Sequence, residues 1–170
     1  MTEVQFAPLT ATMVRTLTDK LYEKRKAAAL DIEKLVKELI LDKNFDQIQR
    51  MVDVLNQLAL SNNPNNRKGG LIGLAATAIA LGPLTSRYAA NLILPAIDCF
   101  SDPDSRVRYY ACESLYNIVK VARESVIAHF AALFDALCKT VEFESVAEAE
   151  QSPFATPSSV ESNEHSCVSS

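Results

Sequence analysis

The stretch Ser101–Lys120, SDPDSRVRYYACESLYNIVK, sets two aspartates around a proline and follows them with Arg106, Arg108, Tyr109 and Tyr110. Val107, Ala111, Leu115 and Ile118 recur at helical spacing, so the run after the turn is an amphipathic helix. Four readings compete: an active site, a metal loop, a nucleic-acid grip, or the joint of a repeated structural unit. A calcium loop needs oxygen ligands at regular spacing that close on a bidentate Glu, and the stretch lacks that pattern. Paired carboxylates doing acid–base work need a cleft and perturbed pKa values, for which nothing else in the chain argues. The joint remains. In that reading Asp102 N-caps the helix, Pro103 takes the first helical position, and Asp104 favours the helix N-terminus electrostatically.

The same pattern recurs upstream. Sliding residues 23–39, EKRKAAALDIEKLVKEL, onto 106–122, RVRYYACESLYNIVKVA, superposes Arg25 on Arg108, Ala28 on Ala111, Ile32 on Leu115 and Leu35 on Ile118. The run 67–81 fits between them, which gives a period of about 40 residues, the range of HEAT and armadillo units. Further stripes are Val14, Leu17 and Leu21; Ile48, Val52, Leu55 and Ala59; Leu92, Ala96 and Phe100; and Ile127, Phe130, Phe134 and Leu137. Short connections rich in breakers, DKNFD, SNNPNNR, GPLTS and SDPDS, make successive helices antiparallel neighbours. The fold class predicted is all-α: an α-solenoid of HEAT/armadillo-like antiparallel helix pairs, about three and a half repeats over residues 1–139.

Composition agrees. A chain of 170 residues, 48% hydrophobic, with 4 glycines and 7 prolines, suits an ordered helical protein better than a sandwich or barrel. The N-terminus carries no secretory signal pattern, and the longest apolar run, Leu71–Leu81, is too short to span a bilayer and is expected to be a buried helix. The net charge of −4 hides an asymmetry: residues 142–170 hold six glutamates and no lysine or arginine, leaving the rest at about +2. Those bases are scattered, so no nucleic-acid partner is expected. Cys99, Cys112, Cys138 and Cys167 show no chelating pair, so no metal site and no cofactor are expected. RKGG at 67–70 has its basic residues before the glycines, the reverse of a phosphate loop, and the glycines are expected to serve close helix packing. No Ser, Cys or Thr sits in a nucleophile motif, so no catalytic residues are assigned.

What remains is surface. On the helix after Asp104 the stripe facing away from the core is Tyr109, Glu113, Tyr116 and Lys120; on the helix of residues 23–39 it includes Lys26, Glu33 and Lys37. Second helices of solenoid repeats line the concave face where partners dock, so these seven residues are the candidate partner surface. The last stripe, Ile127, Phe130, Phe134 and Leu137, lacks a covering helix and is expected to be an exposed terminal patch that drives self-association.

LTDKLYEKRKAAALDIEKLV, RKGGLIGLAATAIALG and DSRVRYYACESLYNIVKVAR together resemble the N-terminal HEAT repeats of the vacuole-morphology scaffold (the Vac-fourteen family), from about Phe6 to Lys139. The resemblance implies a non-enzymatic scaffold that assembles a phosphatidylinositol 3-phosphate 5-kinase (PIKfyve-type) with its opposing phosphatase. It implies support of phosphatidylinositol 3,5-bisphosphate synthesis by a cytoplasmic protein, peripheral on endosomal or vacuolar membranes and reaching them only through partners. A different HEAT adaptor, a transport receptor or nucleic-acid-associated solenoid, is the competing class. After Lys139 the chain departs from the family: residues 140–170 are Ser/Glu/Pro-rich and expected to be largely disordered, as in a truncated or alternatively spliced product or a fragmentary gene model.

Overall fold

The structure is a computed structural model that describes residues 6–139; the expected Ser/Glu-rich tail of 140–170 lies outside the described residues. All regular elements among the described residues are helical. They are α1 (Ala11–Leu17), α2 (Tyr22–Leu41), α3 (Phe45–Ala59), α4 (Pro64–Leu81), a 3-10 segment (Gly82–Tyr88), α5 (Ala89–Asp98), a 3-10 turn (Cys99–Ser101), α6 (Ser105–Ala122) and a second 3-10 segment (Arg123–His129). Helix resumes at 130 and continues to 139. The pairs α1/α2, α3/α4 and α5/α6 stack as an α-solenoid fragment, and the helix from 130 begins a fourth unit.

Side-chain caps start most of these helices. Thr10, Asn44, Asn63 and Asp104 each accept a backbone N–H one turn in, at 2.8–3.4 Å. Pro64 follows Asn63 at the first turn of α4, where its missing N–H costs nothing. The aspartate assignment at the third turn requires correction. Asp104, not Asp102, N-caps α6, and Pro103 precedes the cap. Asp102 is drawn off by a different partner: its Oδ2 lies 2.7 Å from Nε of Arg67, and its Oδ1 accepts from Nη2 of Arg67 at 3.0 Å and from the Asp104 N–H at 2.8 Å.

The arginines show the repeat most clearly. Arg25, Arg67 and Arg108, 42 and 41 residues apart, each donate Nη1 to the carbonyl six residues back, on Asp19, Ser61 and Asp102, at 2.7–3.0 Å. Each closes the turn that leads into α2, α4 or α6. The period also holds at the helix ends. α4 terminates at Gly82 (φ 54°, ψ −124°) and α6 at Arg123 (φ 50°, ψ −119°), and a seven-residue 3-10 segment follows each.

Leu17, Ile32, Ile48, Met51, Leu55, Leu71, Leu74, Leu92, Phe100 and Ile118 form the centre of the core. Leu21 does not continue the α1 stripe: the turn at Thr18–Lys20 intervenes, and Leu21 is the exposed N-cap of α2. In α2 the buried stripe runs Ala28, Ile32, Val36 and Leu39, with Leu35 half-buried. α4 lies between α2 and α6 and over α3, which is why it is apolar nearly all round. Pro64–Ser101 is long and apolar enough for a membrane span (mean hydropathy 1.4), yet 61% of that stretch's window is buried inside the protein. It folds as α4, a 3-10 segment, α5 and a 3-10 turn.

Glycines permit the close approach of α4 to its neighbours. A methyl group at Gly69 would strike the Leu17 carbonyl, and one at Gly70 would strike the Ala59 backbone and the Leu55 carbonyl oxygen. Two buried side chains tie helices together: Ser114 Oγ donates to the Leu71 carbonyl at 2.9 Å, and the Cys99 thiol to the Ala59 carbonyl at 3.4 Å.

Two stability measurements check this packing. In an ordinary helix Gly→Ala stabilises by about 0.5–1 kcal/mol, but Gly70→Ala should destabilise by about 1–3 kcal/mol, the overpacking range. Arg123→Gly should move the other way, by about 1 kcal/mol, because it relieves a positive φ that Gly82 adopts freely at the equivalent position. Urea midpoints of the two variants on opposite sides of the parent are the expected result.

Candidate functional site

The second helices α2, α4 and α6 lie side by side, and their solvent-facing side carries the seven residues of the candidate partner surface. The arginine register of 42 and 41 residues lines up Lys26, Lys68 and Tyr109; Glu33, Ala75 and Tyr116; and Lys37, Ile79 and Lys120. Lys26 and Glu33 of α2 join Glu113 of α6 around a groove floored by Ile72, Ala76 and Ile79 of α4. Lys120 borders an adjoining cavity of about 680 Å³ at the C-terminal ends of α4 and α6, together with Ile79, Asn117 and Arg123. Lys37 lines neither and pairs loosely with Glu33 at 4.0 Å. Tyr109 and Tyr116 are each 66% exposed, and the Lys120 ammonium sits 6.0 Å from the Tyr116 ring centroid. Tyr109 is turned toward a third cavity. The structure thus gathers Lys26, Glu33 and Glu113 at one groove and leaves the tyrosines and Lys120 along its α6 edge.

That third cavity, of about 510 Å³, was not legible from local motifs. It opens at the N-terminal ends of α2, α4 and α6 and is lined by Lys20, Arg25, Lys68, Arg106, Tyr109 and Tyr110, among others. The repeat register held the signal, since Lys68 shares a row with Lys26 and Tyr109. Arg25 is fixed there by donations to the Asp19 and Lys20 carbonyls at 2.7 and 3.0 Å and to the Tyr110 hydroxyl at 2.8 Å. Its guanidinium lies 5.2 Å from the Tyr110 ring centroid, a cation–π distance.

The terminal stripe is exposed: Ile127 73%, Phe130 61%, Phe134 56% and Leu137 45%. The phenylalanine rings stack with centroids 6.2 Å apart. Val126, Leu133 and Ala136 instead supply the side that packs on the core. Phe130, Phe134 and Leu137 correspond, 41 residues on, to Ala89, Ile93 and Ala96 of α5, all buried.

Burial pushes the Cys99 thiol up to about 12, the direction away from a reactive thiolate. Burial also raises Tyr88. The Asp19 carboxyl is held below its ordinary value, first by the Leu21 N–H and then by Lys24. No cluster of three or more His, Cys, Asp or Glu among the described residues could hold a metal ion.

Comparison with known proteins places the chain. Residues 65–151 match the family model described as the Vacuolar 14 Fab1-binding region. The Protein VAC14 homolog of Arabidopsis thaliana is 51% identical over 130 residues, covering 76% of this chain and 18% of that protein. The Vacuole morphology and inheritance protein 14 of Saccharomyces cerevisiae is 48% identical over 130 residues, covering 75% of this chain and 15% of that protein. The chain therefore spans less than a fifth of the length of these curated relatives. No solved structure matches.

Proposed function

The chain belongs to the Vac14 family, over its Fab1-binding region, and from that premise we propose that it is a non-enzymatic scaffold element that docks a lipid kinase. The kinase is of the class that makes phosphatidylinositol 3,5-bisphosphate from phosphatidylinositol 3-phosphate, with its opposing phosphatase as the further partner. The chain reaches endosomal or vacuolar membranes from the cytoplasm through those partners. The observation that carries the reading is the extent of the family match. It begins in the first turn of α4 and includes α5 and α6, hence the floor of the groove and its α6 wall.

The surface chemistry supports a protein partner. Exposed Tyr22, Leu30, Ile79, Tyr109 and Tyr116 stand among charges of both signs on α2, α4 and α6. Aromatic anchors ringed by polar groups are what protein interfaces select. A nucleic-acid solenoid would instead need a long run of clustered cations to neutralise a phosphate backbone, whereas Glu33 and Glu113 line this groove.

The terminal stripe supports self-association with a second copy of the chain. Three of its four apolar side chains, Phe130, Phe134 and Leu137, lie along the helix from 130, with Ile127 in the 3-10 segment before it, and each would gain about 1.5–3 kcal/mol on full burial. A stacked phenylalanine pair meeting its symmetry mate would cover positions that α5 keeps buried.

Two experiments test these readings separately. Tyr109→Ala combined with Tyr116→Ala should weaken capture of the purified kinase about tenfold or more, the loss of 1.4 kcal/mol or greater expected of hot-spot tyrosines, with helicity unchanged by circular dichroism. Undiminished capture would remove the α6 edge as the docking surface. In sedimentation at rising concentration the parent chain should associate, and Phe130→Glu with Phe134→Glu should be monomeric. A parent that stays monomeric throughout would sink the self-association reading.

A further inference from the structure

We propose that the cavity at the N-terminal ends of α2, α4 and α6 is a binding site for a compact anion bearing two or more phosphate groups. Four cationic residues from three repeats, Lys20, Arg25, Lys68 and Arg106, converge on a space of about 510 Å³, and no acidic residue lines it among the described residues. Of the acids close in sequence, Asp19 binds Lys24 and the Leu21 N–H, Asp102 binds Arg67, Asp104 caps α6, and Glu23 is exposed and lies outside the lining.

Lys68 is the decisive residue. It is only 9% exposed, and it makes no hydrogen bond or ion pair with a described residue, yet it borders the cavity. Its stem is packed into the protein and its ammonium opens onto the cavity unpaired, so an anion there would be its first charge partner. α3 and α1 press on the opposite side of α4 through Gly69 and Gly70, which fixes the α4 backbone at Lys68.

The surroundings are arranged for the same charge. Tyr22 is the first residue of α2, whose N-terminus has no side-chain cap, so its first-turn backbone N–H groups open at the cavity mouth, whereas the α6 terminus is capped by Asp104. Arg25 is locked by three hydrogen bonds, which lowers the ordering cost of binding. Tyr109 and Tyr110 meet edge to face at 5.7 Å and form an aromatic wall. Four positive charges in so small a space match a ligand carrying several negative charges. A phosphate monoester brings about −1.5 to −2 at neutral pH, so two or three of them balance the site where several carboxylates would crowd it.

The phosphates can belong to a soluble molecule or to a lipid headgroup, and two arms of one experiment separate these sources. Isothermal titration of the full chain with inositol hexakisphosphate should show saturable binding that weakens with salt. Lys68→Gln and Arg106→Gln should each lower affinity about tenfold, the size of one lost charge-assisted hydrogen bond, and Lys68→Arg should retain most of it. Co-sedimentation with phosphatidylcholine vesicles carrying a polyphosphorylated inositol lipid forms the second arm. Vesicle binding sensitive to Arg106→Gln assigns the site to a headgroup; binding of the soluble anion alone assigns it to a free ligand. Arg106 is exposed and replacing it leaves the core intact, so a loss of affinity in Arg106→Gln is not ascribed to unfolding. Failure of the parent chain to bind the soluble anion, or unchanged affinity in both Gln variants, overturns the proposal. Lys68→Gln and Arg106→Gln leave Tyr109, Tyr116 and the groove residues unaltered, so kinase capture by these variants is read separately from anion binding.

Discussion

The ion pair between Arg67 and Asp102 is the interaction on which the stacking depends. Both side chains are largely withdrawn from water, at 14% and 7% exposure; Nη2 donates to one carboxylate oxygen and Nε stands 2.7 Å from the other in ion-pair contact. Arg67 also closes its own turn through the Ser61 carbonyl, while Asp102 accepts the Asp104 N–H and offers its carbonyl to Arg108. One residue pair thus links the turn of one repeat to the turn of the next. Removing either partner would leave a buried charge, at a cost of about 3–5 kcal/mol. The first repeat cannot copy the arrangement, because Ser61 stands where Asp102 stands one repeat later. Arg25 reaches past α4 instead and donates to the Tyr110 hydroxyl.

Fixing the turns fixes the rows. With the arginines in register, side chains at equivalent positions of α2, α4 and α6 fall into lines across the layer, and the character of each line follows from its three residues. In the Lys26, Lys68 and Tyr109 row, Lys68 and Tyr109 border the basic cavity while Lys26 borders the groove, and in the Lys37, Ile79 and Lys120 row, Ile79 and Lys120 border the cavity at the other end. Between them the small Ala75 and Ala76 of α4 leave the groove its depth. The glycines contribute from beneath: Gly69 and Gly70 draw α4 onto α1 and α3, lowering the middle helix of the layer relative to a helix with full-sized residues there.

The sequence made the helices and their pairing legible because those depend on local periodicity, which tertiary contacts here reinforce. Ile48, Val52, Leu55 and Ala59 are all fully buried, as their spacing requires. The cap of α6 was not legible, since Asp102 and Asp104 carry the same local signature; the choice is made by Arg67, 35 residues away. Leu21 misled because a turn phase-shifted the stripe between α1 and α2 by less than one helical turn. The basic cavity escaped for a different reason. Its cations lie on three helices and are scattered in sequence, so only the exact superposition of repeats assembles them.

The two ends of the layer impose different demands on a partner. At the N-terminal ends of the second helices the field is positive, from four side chains and the α2 N-terminus, and a ligand must bring charge and accept hydrogen bonds. On the open side Glu33 and Glu113 offset Lys26 and Lys120, and selectivity falls to shape and to Tyr109 and Tyr116. Tyr109 belongs to both, since its ring borders the cavity and its exposed edge continues the α6 stripe. An anion held by the cavity cations would sit beside that ring. Any coupling between the two surfaces through Tyr109 would be reciprocal. The Tyr109–Tyr110 contact, in turn held by the hydroxyl of Tyr110 on Arg25, is the physical connection through which it would act.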